Sequence, residues 1–158
     1  MDASQWMARF RSVHELIRKG GGTEEESELH RGMCEELARS MMASQGQQAT
    51  GGLEARKQFR VAQVYPIEVN NLYRAVTRDV SCSAFSVVLP DAFKVGQLAT
   101  FSLQLARGAE PITGQARATE VLKQKGSAKV TFGIEVLGKV ASELLELALF
   151  DAVLARIK

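Results

Sequence analysis

The sequence predicts an α+β protein, mainly β, with an N-terminal helical hairpin, a six-stranded antiparallel β-barrel and a C-terminal helix. Three observations predict it. The apolar period is helical before residue 44, strand-like from Gln58 onward and helical again from Val140. Gly20, Gly21 and Gly22 divide the first helical stretch in two, because consecutive glycines leave the backbone too free to stay helical. Turn residues then punctuate short β-prone runs at the spacing of a small antiparallel barrel.

The elements follow in order. Residues 2–19 form an amphipathic helix, with Trp6, Phe10, Val13 and Ile17 on one face and Arg9, Arg11, Glu15 and Arg18 on others. Thr23 and Glu26 make a capping box that starts a second helix, whose apolar stripe is Leu29, Met33, Leu37 and Met41. The short loop between the two favours an antiparallel hairpin. Such a pair cannot bury its stripe alone. It must dock on the barrel, pair with another copy as a homodimer, or engage a protein partner. Ser44 to Gly52, rich in Gln and Gly, reads as a linker. The expected division is hairpin 1–45, linker 46–55, and barrel with C-terminal helix 56–158.

The expected strands are Arg60–Val69, Tyr73–Ser81, Phe85–Leu89, Leu98–Leu105, Ile112–Val121 and Lys129–Val136. Pro90-Asp91, Lys94-Val95-Gly96, Arg107-Gly108 and Lys125-Gly126 supply turns between them. Residues 140–157 return to a helix bearing Leu144, Leu145, Leu147, Leu149, Val153, Leu154 and Ile157. That is more apolar surface than one flank needs, so a second face is expected to touch the first helices or a partner.

Composition narrows the function. A net charge of +2 is too small to argue for duplex DNA or a membrane surface. Aromatic residues at 6% are thin for base-stacking platforms, so nucleic acid is not the expected partner. The charge is unevenly spread. Glu24, Glu25, Glu26, Glu28, Glu35 and Glu36 make an acidic front, while Arg56, Lys57, Arg60, Arg74 and Arg78 make a basic middle where an anionic ligand would bind. Cys34 and Cys82 lack disulfide or zinc spacing, and their reduced state suits the cytoplasm. No signal peptide is expected at the N-terminus, and no segment reaches the roughly 18 apolar residues of a bilayer span.

The informative motifs sit at the barrel entrance. Arg56-Lys57-Gln58-Phe59-Arg60 sets two arginines four apart, and Asp79-Val80-Ser81-Cys82-Ser83-Ala84 follows at the end of a strand. With these residues the sequence resembles the PilZ family of cyclic di-GMP receptor domains, whose signature is RxxxR followed by [D/N]xSxxG. The resemblance runs from about residue 54 to residue 157. It extends through Leu89-Pro90, Val95-Gly96 and Phe132-Gly133-Ile134-Glu135 to the closing helix.

The residue types suit that ligand, which carries two phosphates and two guanines. A guanidinium forks onto phosphate oxygens or onto guanine O6 and N7, and its flat face stacks on purines. A carboxylate accepts from the N–H groups of the guanine edge. The resemblance implies that Arg56 and Arg60 clasp cyclic di-GMP while Asp79 and Ser81 meet it from the barrel, with Arg78 beside them. Ala84 stands where the family has glycine. A glycine there serves a positive φ or a close backbone approach; forcing alanine left-handed costs about 1–2 kcal/mol. Ala55 replaces a further arginine of members that hold stacked ligand pairs, which implies one ligand per site.

The resemblance therefore implies a non-enzymatic cytoplasmic receptor without a cofactor or metal. It would relay the messenger to a protein partner in motility, adhesion or exopolysaccharide control. The alternative is a PilZ-like protein–protein adaptor that does not bind the dinucleotide. Catalysis finds little support: His14 and His30 belong to no metal or nucleophile set and are expected as surface or hairpin residues. Arg74 reads as part of a solvated strand face, and Cys82 as a small buried side chain. Gly133 to Lys139 fits GxxxxGK, but Val140 stands where a phosphate-binding loop needs Ser or Thr for Mg²⁺.

Overall fold

A computed structural model describes residues 2–46, 52–90 and 93–156, with side chains of 52–54 excepted. It divides into two compact units, residues 1–59 with 154–158, and residues 60–153.

The first unit is helical. Helix α1 spans Ala3–Arg18 and α2 spans Glu24–Ser44. Each starts in a capping box, in which side chain and backbone satisfy orphan amides reciprocally. Thr23 and Glu26 form the expected box of α2; Asp2 and Gln5 form one on α1 that the sequence reading passed over. The linker expected over 46–55 lies outside the described residues at 47–51. From Gly52 the chain is already helix α3, Gly52–Gln58. Flanking glycines hide a run of good helix formers, 53–58, and Ala55 and Phe59 are fully buried. The chain passes from one compact unit to the other between Phe59 and Arg60.

The buried face of the hairpin also differs from the expected stripe. Met33 and Leu37 are buried, but they are joined by His30, Cys34, Ala38 and Met42. His14 and His30 do lie on the hairpin, yet inside it, at 2% and 8% exposure. Their rings meet at 2.9 Å between Nδ1 of His14 and Nε2 of His30, and Phe10 stacks on both. The Cys34 sulfur lies 3.5 Å from His30 Nε2. The hydrogen bond between the two imidazoles satisfies one ring nitrogen of each, which helps polar groups occupy an apolar seam.

The second unit is the barrel: β1 Pro66–Val69, β2 Tyr73–Val80, β3 Ala84–Leu89, β4 Leu98–Leu103, β5 Ile112–Gln124 and β6 Ser127–Leu137. The closed order is β1-β2-β3-β6-β5-β4, with antiparallel pairing throughout, including β1 with β4. Alternation sends Ile67, Val69, Phe85, Val87, Phe101, Leu103, Val130 and Phe132 inward. Phe85 sits 5.1 Å from Phe101 and 5.3 Å from Phe132, ring to ring, at the centre.

The first strand is shorter than expected. Residues 60–65 run beside β2 but pair irregularly, through Val61 with Val80 and through the buried Thr77 hydroxyl, which donates to Gln63 O at 2.7 Å. Helix α4, Lys139–Arg156, buries Leu145, Leu149, Phe150 and Val153, and the Tyr65 hydroxyl reaches its Ala148 carbonyl at 3.5 Å. Its last described turn belongs to the helical unit, where Leu154 O accepts from Arg11 at 3.0 Å. Ile157 lies outside the described residues.

Two outcomes follow. Burial first, then the charge of His14 and that of Arg56, lower the His30 pKa from 6.5 to about 4. A base whose folded pKa is depressed binds fewer protons when folded, so its stabilisation is complete above pH 6.5 and is lost as the pH falls towards 4. Thermal melts between pH 7 and 4 should show this decline, and His30→Leu should flatten it relative to the parent. In the barrel, a Cβ on Gly114 would overlap the Val136 carbonyl oxygen and lie 2.9 Å from the Phe101 ring. Gly114→Ala should cost about 1–3 kcal/mol in denaturant unfolding, as overpacked cores do.

Candidate functional site

The motif residues fall on both units. Arg56 lies on α3 in the helical unit; Arg60, Arg78, Asp79, Ser81 and Ala84 lie in the barrel unit.

Within the barrel unit, the backbone places Arg60. Val61 and Val80 exchange two backbone hydrogen bonds of 2.9 Å, which hold the entry segment against the end of β2. Arg60 Nη1 then donates to Asp79 Oδ1 at 3.3 Å. The arginine is exposed and the aspartate half-buried, so the guanidinium remains open to solvent while its position is constrained.

A β-bulge aims Asp79. Thr77 pairs with Val87 and Asp79 with Ser86, which leaves Arg78 as the extra residue on β2. Inserting one residue reverses the facing of everything after it. Val76 is accordingly 49% exposed while Val80, four positions on and expected on the same face, is fully buried. Arg78 is left exposed at the bulge. Arg74 stands opposite Glu68 of β1 on a solvated face, as expected.

Ser81 does something other than face outward. It is 2% exposed, and its hydroxyl accepts from the amides of Ala84 at 3.0 Å and Ser83 at 3.2 Å. Ser81 N donates to Ala84 O at 2.8 Å and closes the turn. The serine thus fixes the β2–β3 connection, and Cys82 sits half-buried within it. Ala84 opens β3 in register with Gly133. Among the described residues, the positive-φ positions other than glycine are Asn70 and Asn71, so Ala84 carries no left-handed strain. Of the two reasons for a glycine here, only close approach remains.

Sequence reasoning missed Arg117. Gly133 pairs with both Ala84 and Arg117, so all three share the outer face of β3, β6 and β5. The Arg117 Nε donates to Glu135 at 2.9 Å and Nη1 to Gly96 O at 2.7 Å. Only the assembled strand order reveals this neighbour. In the helical unit, Arg56 Nη1 lies 3.6 Å from Glu35 Oε1, with the two side chains 17% and 31% exposed. Among the described residues, no cluster of three or more His, Cys, Asp or Glu could hold a metal ion, and no helix is long and apolar enough to cross a membrane.

No protein-family model and no curated protein matches the sequence. Solved structures do. The Bacillus subtilis inhibitor of motility MotI/DgrA is 16% identical over 61% of this chain and 50% of its own, with a TM-score of 0.55. YcgR from Escherichia coli, solved in complex with c-di-GMP, is 13% identical over 59% of this chain and 43% of its own, with a TM-score of 0.49. The PilZ domain of CeSA from a cellulose-synthesising bacterium is 19% identical over 60% of this chain and 96% of its own, with a TM-score of 0.41. The chain therefore spans about half the length of MotI and less than half of YcgR. The closed six-stranded barrel with its accompanying helices is a PilZ-like fold.

Proposed function

We propose that this chain is a cyclic di-GMP receptor that relays the messenger to a protein partner. The observation that carries the reading is the Arg60–Asp79 pair, held at the barrel entrance by the Val61–Val80 bridge. Arg60 supplies the forked donor that phosphate or guanine requires, and Asp79 the acceptor for a guanine edge. The ligand would exchange their mutual contact for two charge-assisted ones. Ser81 serves by holding the turn that carries Ala84. Arg56 is the second guanidinium of the proposal, and Arg78, exposed at the bulge, adds positive charge beside Asp79.

The relay follows from population shift. A ligand that prefers one placement of Arg56 biases the helical unit by its differential affinity, and by no more than that. A cytoplasmic partner reading α1 and α2 would sense the messenger, with control of motility, adhesion or exopolysaccharide as the output. The chemistry is binding rather than catalysis. The rival reading, an adaptor that does not bind the dinucleotide, draws on the carboxylate partners that already engage Arg56 and Arg60.

Calorimetry separates the two. Cyclic di-GMP should bind at one molecule per chain, and Arg60→Ala should weaken it at least about tenfold, the equivalent of about 1.4 kcal/mol, without lowering the melting temperature. No heat at tens of micromolar ligand leaves the adaptor reading in possession. Because Ala84 carries no left-handed strain, Ala84→Gly should leave affinity unchanged or raise it, while costing the strand about 0.5–1 kcal/mol. Weaker binding by that variant would show that the alanine methyl contacts the ligand favourably.

A further inference from the structure

Helix α3 packs on α2, with Ala55 and Phe59 fully buried and Arg56 between them in sequence. That packing carries the Arg56 side chain to Glu35, one residue after the buried Cys34. The contact is partly sheltered: the side chains are 17% and 31% exposed, against 48% and 44% in the Arg18–Glu15 pair on α1. A sheltered pair is screened less by water and salt than a surface pair. Breaking it leaves a partly buried carboxylate without that guanidinium, which is costly. Any anion that takes Arg56 must meet that cost.

We propose that Glu35 is a latch on Arg56, a built-in carboxylate that competes with the dinucleotide for this guanidinium and so sets the receptor's affinity. The inference rests on the receptor reading above and adds the element that tunes it. Two negative phosphates outbid one carboxylate when the messenger is abundant; at low messenger the ion pair keeps α3 seated on α2. The affinity threshold is therefore written in the helical unit rather than in the barrel. Glu36, the next residue, is exposed and lies outside the ion pair, so it offers the same charge without the latch.

The test is a calorimetric titration of cyclic di-GMP into the full chain and its Glu35→Gln, Glu36→Gln and Glu35→Asp variants. Glutamine keeps the shape and helix preference of glutamate. Glu35→Gln should bind about three- to tenfold tighter, the release of a sheltered ion pair worth about 1 kcal/mol. Glu36→Gln should bind like the parent. Glu35→Asp, which keeps the charge but shortens the reach, should fall between, and it carries the test if the glutamine variant melts at the working temperature. In an Arg56→Ala background the gain from Glu35→Gln should vanish. Equal affinity of parent and Glu35→Gln overturns the latch alone, as does an equal gain from Glu36→Gln. Binding by none of the proteins overturns the receptor reading and the latch with it.

Discussion

In the barrel unit a surface guanidinium is held beside an anion that the same chain supplies. Arg60 and Asp79 lie 19 residues apart in sequence and meet at 3.3 Å because Val61 and Val80 are bridged. The proposed site depends on that bridge. It brings two residues of the motif, Arg60 and Asp79, into one local arrangement, with a charged donor and a charged acceptor side by side. Opposite charges so placed are individually weak at a surface. In the proposed receptor their value would lie in being available to a ligand that presents the complement of both.

The surrounding structure serves the same end. The bulge at Arg78 turns Asp79 to its facing while Thr77 and Val80 stay buried. Ser81 is spent on the turn, so that the connection into β3 is held by side chain and backbone together. Helix α3 does for Arg56 what the bridge does for Arg60, seating it against Glu35. Each arginine of the motif thus has a carboxylate of its own, one on each compact unit.

Much of this was legible in the sequence, and the rest was hidden for physical reasons. The barrel announced itself through period-two runs such as Ala99–Leu103, and α2 through Thr23 and Glu26, because these signals are local. Helix α3 was masked by the glycines beside it, whose freedom reads as linker although residues 53–58 favour a helix. The bulge left a trace, the conflict in phase between Val76 and Val80, but that conflict becomes visible only once burial is known. His14 and His30 lie on the hairpin as expected, but their burial was not legible, because a polar ring looks solvated until a second ring 16 residues away partners it. Arg117 could not have been found at all, since it joins Ala84 only through the register of β6.

The most direct test of the Arg60–Asp79 account is an NMR titration of the full chain with cyclic di-GMP, following the Arg60 Nε–H resonance and the amides of Asp79 to Ala84. The account predicts saturable shifts of these signals together, complete at one dinucleotide per chain. Shifts confined to other parts of the barrel, with Arg60 and the 79–84 turn unmoved, would contradict it.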